Sequence, residues 1–201
     1  YDSSAKYLGT ALDASLRRIG VDHIDLWQVH RPDVLTHPEE LARTLENMVR
    51  SGKVGAIGVS NFTQPQIAAL RAAIDIPITS SQPEYSPLHL DPFHDGQFDI
   101  AMQHGTHILA WSPLGGGRIA NPQDASERMV ANKLDEVAEA YGVSRTMAAF
   151  SWIAAHPAHP IPIIGSQTAS RIAEASDFAK IRWTRASWYA VLEASMGESL
   201  P

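Results

Sequence analysis

His30, the pair Ser60-Asn61, Gln82, the pair Trp111-Ser112 and Ser166 are scattered along the chain, yet each stands at the end of a short apolar run. An amide side chain offers both a donor and an acceptor, and a hydroxyl serves as either. Such groups, with an imidazole and an indole, would ring a planar ligand. Gly115-Gly116-Gly117 follows the fourth of these runs, and glycines permit close backbone approach or a mobile loop. Arg171 stands in the first turn of a helix opened by Thr168. A cation there opposes the helix dipole, where an acid would be expected. It therefore implies an anion nearby, and helix N-termini bind phosphates. Each of these residues also has a purely structural reading. His30 would cap the Arg31-Pro32-Asp33 turn, Ser60-Asn61 would belong to the cap of the next helix, and Trp111 would be core. His104 and His107 lack both the spacing and the neighbouring carboxylates of a metal site.

The elements that must position these groups alternate in type. Ser4 opens a helix with Leu8, Leu12 and Leu16 on one face, and Gly20 ends it. Ile24 to His30 reads as a strand. Thr36 caps the next helix, with Pro38 in its first turn, Glu39 in capping-box position and a stripe of Leu41, Leu45, Met48 and Val49. Gly52 stops it. Residues 54–62 form the second strand, with small Ala56, Gly58 and Ser60 on one face. Thr63 caps a helix carrying Ile67, Leu70 and Ile74, and residues 78–85 form the third strand. An irregular stretch with Phe93, Phe98 and Ile100 leads to a fourth strand, 107–114. A helix with Met129, Leu134, Val137 and Tyr141 ends at Gly142. Ser144 caps another, with Met147, Phe150, Trp152 and Ile153. Residues 160–166 form the fifth strand, followed by the Thr168 helix and a last helix around Trp188, Val191 and Leu192.

This alternation implies βαβ units and a parallel sheet. In barrel enzymes of this class the chemistry sits at the C-terminal ends of the strands, which is where the polar groups fall. An open doubly wound sheet would carry a glycine-rich phosphate loop after its first strand. The sequence there is His30-Arg31-Pro32-Asp33, which is no phosphate cradle.

Composition narrows the classes further. The chain has 201 residues, a net charge of −6 and no cysteine. The acidic balance argues against a nucleic-acid partner. The absence of cysteine excludes disulfides, zinc-thiolate sites and thiol catalysis, and fits a reducing, cytoplasmic setting. No apolar run reaches the roughly 18 residues that span a bilayer, so no membrane partner is expected.

Five strings of residues carry a family resemblance. Asp25-Leu26-Trp27-Gln28-Val29-His30-Arg31-Pro32-Asp33 resembles the fourth barrel strand of aldo-keto reductases, and 52–62, ending Gly58-Val59-Ser60-Asn61-Phe62, resembles the fifth. Ser81-Gln82-Pro83-Glu84-Tyr85 is similar to the sixth. Ala110-Trp111-Ser112-Pro113-Leu114-Gly115-Gly116-Gly117 is similar to the seventh, and Ile161-Pro162-Ile163-Ile164-Gly165-Ser166 to the eighth. The bacterial general-oxidoreductase branch is the one resembled.

The resemblance implies an α/β fold: a partial (β/α)8 TIM barrel holding parallel strands four to eight with their helices, as one domain over residues 1–201. It implies NADP(H)-dependent reduction of an aldehyde or ketone. His30 would orient the substrate carbonyl and stabilise the developing alkoxide. Ser60, Asn61 and Gln82 would bind the nicotinamide carboxamide, and Trp111 would stack on the ring. Ser112, Leu114 and Gly116 would line the pyrophosphate. Ser166 would lie at the eighth-strand phosphate end. Arg171 would meet the adenosine 2′-phosphate and Glu174 the adenine amine. Two positions depart from the family pattern: Gly165 stands where a Lys is common, and Ala175 where an amide contacts adenine.

The family's proton-donating Tyr and its Lys and Asp partners belong to the first three βα units, and no residue of this chain matches them. Tyr1 and Tyr85 do not fall in the right place. An alternative is therefore a non-catalytic half-barrel that binds a nucleotide or a partner. Five strands also leave two sheet edges, at Ile24 to Val29 and at Ile161 to Ile164, through which association is expected.

Overall fold

The Ser4 hydroxyl accepts the Tyr7 N–H at 3.3 Å and opens the first helix, which turns out of helical geometry at Gly20 with φ of 79°. In the computed structural model, which describes residues 1–200, the elements follow one another as α1 (Ala5–Ile19), β1 (Ile24–Val29), α2 (Pro38–Arg50), β2 (Val54–Ser60), α3 (Gln64–Ala73), β3 (Ile78–Gln82), α4 (Asp91–His94), α5 (Gln97–His104), β4 (His107–Ala110), α6 (Ala125–Tyr141), α7 (Arg145–Ala154), β5 (Ile161–Pro162), α8 (Ala169–Glu174) and α9 (Arg185–Met196). A 3-10 turn, Ala175–Lys180, follows α8. The chain divides into two compact units, one made of residues 1–83 and 99–107, the other of residues 84–98 and those from Ile108 onward.

In the first unit β1, β2 and β3 run parallel in that order. Helices α1, α2 and α3 supply Leu8, Leu12, Leu16, Leu41, Leu45, Ile67 and Leu70 to a core shared with Val29, Ile57, Val59 and Ile78. Burying each such side chain stabilises by about 1.5–3 kcal/mol. Gln28 of β1 stands beside Gly58 of β2, and Gly58 beside Ser80 of β3. A β-carbon on Gly58 would overlap Ser80 Oγ and lie 3.0 Å from Gln28 Oε1. Gly58→Ala is therefore expected to destabilise by about 1–3 kcal/mol, as overpacked sites do, and thermal unfolding measures it. An unchanged midpoint would mean that the strands yield.

In the second unit β4 pairs β5 in parallel, Leu109 beside Ile161 and Ala110 beside Pro162. Helix α7 is buried on every side, from Met147 through Ile153, as expected of a helix apolar all round. The Trp152 and Trp188 rings stack 4.8 Å apart and 10° from parallel. Each indole N–H donates to the other residue's backbone carbonyl at 3.0 Å, so α7 and α9 are tied by a reciprocal pair of bonds. Tyr85 stacks on Trp152 and meets Phe98 edge-on at 4.7 Å. Its buried hydroxyl has no partner among the described residues, and burial pushes its pKa up.

Several sequence expectations need correction. The strands stop earlier than their apolar runs: 54–62 ends at Ser60, 78–85 at Gln82, 107–114 at Ala110, and 160–166 shrinks to two residues, Ile161–Pro162. Beyond those ends pairing thins to single contacts, such as the parallel bridge of Glu84 with Trp111 and the Ile163 N–H donating to the Ala110 carbonyl at 2.9 Å. Thr36 does not cap α2; its hydroxyl donates to Asp33 at 2.7 Å, and the His37 ring accepts the Glu39 N–H instead. The buried stripe of α6 is Val130, Ala131, Leu134 and Ala138, while Met129 and Tyr141 are exposed. The stretch with Phe93 and Phe98 holds two helices, α4 and α5. Among the described residues no helix is long and apolar enough to cross a membrane.

Candidate functional site

The carboxamide-type groups of the first unit gather at the ends of β2 and β3. Ser60 Oγ donates to the Gln82 carbonyl at 2.9 Å and accepts from Asn61 Nδ2 at 3.0 Å. The Asn61 Nδ2 also donates to the His30 carbonyl at 3.0 Å, and the Asn61 backbone N–H donates to the Gln82 carbonyl at 3.1 Å. These bonds bring His30, Ser60, Asn61 and Gln82 together, as their strand-end positions predict. Asn61 adopts a left-handed φ of 60°, which Asn tolerates better than most residues. His30 is exposed just beyond β1. Asp33 shapes the loop after it, accepting from the Ser3 N–H at 2.9 Å and the Leu35 N–H at 3.0 Å. These two N–H groups and Thr36 hold its carboxyl below the usual carboxylate range.

Gln28 was missed by the sequence reading. Its Oε1 accepts from Ser80 Oγ at 2.7 Å, and its Nε2 donates to Gln82 Oε1 at 2.8 Å. A polar residue placed between Trp27 and Val29 in an apolar strand was the available signal.

In the second unit, one cavity of about 720 Å³ collects Ser112, Leu114, Gly116, Ser166, Arg171 and Glu174 in its wall. Ser144, Thr146, Met147 and Phe150 complete much of the rest. Gly165 also lines it, and a β-carbon there would meet nothing within 4 Å. Ser112 holds a left-handed φ of 52°. Among the described residues the non-glycines in that region are Asn61, Ser112 and His159, and such strained positions cluster at functional sites. Trp111 is half-buried and is not among the residues that line this cavity; its carbonyl accepts the Tyr85 N–H at 3.2 Å. Ala175 is buried against Met147 and Phe150, so it does not replace the missing amide.

The dipole argument for Arg171 needs correction. Helix α8 has six residues, and Arg171 lies as much in its last turn as in its first, so little dipole opposes it. What remains is an exposed guanidinium on a cavity wall, with no ion pair among the described residues. Glu174, beside it, accepts from Ser144 Oγ at 2.6 Å.

The glycine loop over this cavity is tied to its own helix. Gly115, Gly116 and Gly117 have φ of 58°, 68° and 92°, and Gly116 N–H donates to Ser112 Oγ at 2.9 Å. Arg118 Nε donates to the Gly115 carbonyl at 2.8 Å, and its NH1 donates to Glu127 Oε1 at 3.0 Å. The other Glu127 oxygen accepts the Gln123 N–H at 2.6 Å. The Glu127 side chain is only 6% exposed, so Glu127→Ala removes the hydrogen bonds of a buried carboxylate to Arg118 and Gln123 and is expected to cost about 1–3 kcal/mol. Amide hydrogen exchange across Gly115 to Gln123 should accelerate. Unchanged exchange there would show that the loop holds itself.

The geometry thus offers a set of amide and hydroxyl groups in one unit and a cavity with a cation, hydroxyls and a glycine loop in the other. The sequence pattern described as the Aldo/keto reductase family matches residues 1–195, and the chain belongs to that family. It is 58% identical over 201 residues to a 6-dehydroglucose reductase of Novosphingobium aromaticivorans, covering 100% of this chain and 66% of that protein. A protein of the same name from Agrobacterium fabrum is 34% identical over 200 residues, with 100% of this chain and 66% of that protein covered. The chain thus spans about two thirds of the length of these relatives. A solved structure of a thermostable aldo-keto reductase, in complex with the inhibitor epalrestat, superposes with a TM-score of 0.85 at 24% identity. The match covers 95% of this chain and 67% of that one, and it establishes the α/β fold with parallel strands as one similar to an aldo-keto reductase.

Proposed function

We propose that this chain is the strand-four-to-eight part of an NADP(H)-dependent carbonyl reductase barrel, acting as a single domain. The observation that carries the reading is the cavity wall on which Ser112, Leu114, Gly116, Ser166, Arg171 and Glu174 meet. The residues fit the dinucleotide. Arg171 and the serine hydroxyls suit phosphate oxygens, and Ser60, Asn61 and Gln82 suit a carboxamide. Trp111 offers a ring face to the nicotinamide, and Glu174 an acceptor to the adenine amine. When bound, NADPH supplies the hydride. In the reduction the carbonyl carbon gains that hydride, the π bond opens onto oxygen, and the oxygen takes a proton. His30 orients the carbonyl and stabilises the charge developing on its oxygen. The proton comes from an acid that this chain does not itself provide, consistent with a family Tyr in the first three βα units. The substrate is a small aldehyde or ketone, and 6-dehydroglucose, named for the 58% identical relative, is the first to test. We assign the protein to the cytoplasm.

The test is Arg171→Ala in the protein as the cell makes it. It is expected to weaken NADPH binding by about 1–3 kcal/mol, the range of a charged hydrogen bond, and NADH binding much less. Equal losses for the two nucleotides would remove the 2′-phosphate role. No NADPH-dependent reduction of 6-dehydroglucose or other aldehydes would remove the reductase reading.

A further inference from the structure

We infer that Gln28 is a positioning residue, which reaches across β2 to set the direction in which the Gln82 amide faces the nicotinamide carboxamide. The inference rests on the carboxamide role proposed above for Gln82.

The strand registers make the reach possible. Gln28, Gly58 and Ser80 stand side by side on β1, β2 and β3. Neighbouring strands lie about 4.8 Å apart, so β1 and β3 are separated by a whole strand. Gly58, with no side chain, leaves a window over β2. Through it Gln28 Oε1 accepts from Ser80 Oγ at 2.7 Å. Any β-carbon at 58 would fill that space, colliding with Ser80 Oγ and crowding Gln28 Oε1. The register shift between Ile57 and Gly58 brings Ser80, rather than its neighbour, to the window.

The second bond carries the consequence. Gln28 Nε2 donates to Gln82 Oε1 at 2.8 Å. A carboxamide has one donor end and one acceptor end, and either end of Gln82 would otherwise serve. The Ser80 hydroxyl donates to Oε1 of Gln28 and so turns that oxygen toward itself. With Oε1 so engaged, Gln28 presents Nε2 to Gln82, whose Oε1 accepts it. The Gln82 Nε2 is thereby the group left to meet the carbonyl oxygen of the cofactor amide. Ser80 and Gln28 thus act through Gln82 without touching the cofactor themselves.

The experiment measures dissociation constants of NADP⁺ and of its thioamide analogue, in which sulfur replaces the carboxamide oxygen. Sulfur accepts a hydrogen bond poorly. The wild-type protein should therefore prefer NADP⁺ by about three- to tenfold, the span of one hydrogen bond. In Gln28→Leu and in Ser80→Ala that ratio should fall toward one, because the Gln82 amide is free to turn. Gln28→Glu, which can accept but not donate, should reverse the Gln82 amide and lower the ratio too. Side-chain amide NMR without nucleotide is a second readout: the Gln28 and Gln82 NH₂ pairs should lose exchange protection in Ser80→Ala. If Gln28→Leu does not fold, Ser80→Ala decides alone. A ratio kept in these variants but lost in Gln82→Ala overturns the relay and leaves the carboxamide role standing. A ratio untouched by Gln82→Ala overturns that role and the relay with it.

Discussion

Made as these 201 residues alone, the chain is expected to show no carbonyl-dependent NADPH oxidation. General acid catalysis contributes about 10²–10⁴-fold, and in the function proposed above the acid is supplied from outside these residues. The sheet edges add a second loss. Leu26 of β1 is 36% exposed, and Ile161 and Ile164 by β5 are 52% and 38% exposed. Apolar edges of this kind pair with other chains when nothing covers them. The 201-residue polypeptide should therefore self-associate or unfold without cooperativity. Size-exclusion chromatography, thermal unfolding and an aldehyde assay read all three properties. A monodisperse monomer with cooperative unfolding and turnover would refute the partial-barrel proposal.

His30→Ala, in the protein as the cell makes it, should lower kcat by about 10²–10³, the effect of removing one donor to a developing oxyanion. Binding of NADPH should hardly change. The His30 backbone carbonyl accepts from Asn61 of the carboxamide-binding set, and alanine keeps that carbonyl. The split between the two parameters is what distinguishes a role on substrate from a role in holding the loop. A large rise in the NADPH dissociation constant with kcat intact would move His30 to the cofactor side.

The strand ends were legible because polarity changes abruptly there. Ser60-Asn61 breaks an apolar run where β2 ends, whereas Trp111 still bridges Glu84 beyond the end of β4. Strand length was not legible. Val59 and Ile163 look alike in sequence, but Val59 lies within β2 and Ile163 lies past the two residues of β5. Only a partner strand tells them apart. The cap of α2 was misread because Thr36 and His37 are both able to accept a hydrogen bond. Asp33 engages Thr36 first, a contact between side chains three residues apart that helix periodicity does not report. Arg171 was found for a reason that did not survive, since the helix dipole depends on a length that the sequence left open. The Gln28 chain was invisible because it joins residues 52 and 54 positions apart. The glycine that permits it is recognisable only once its neighbours across the sheet are known.

The paired indoles of Trp152 and Trp188 have an optical consequence. Two chromophores stacked 4.8 Å apart and nearly parallel share their electronic excitation instead of absorbing separately. Their common transition splits in energy, and chiral placement on α7 and α9 gives the split bands opposite signs in circular dichroism. Both ring N–H groups are hydrogen-bonded to carbonyls, which shifts the absorption to longer wavelength than that of an indole in an apolar medium. The packing of these two helices thus writes its own signature into the ultraviolet spectrum, ahead of any change in helix content, and needs no attached label to be followed.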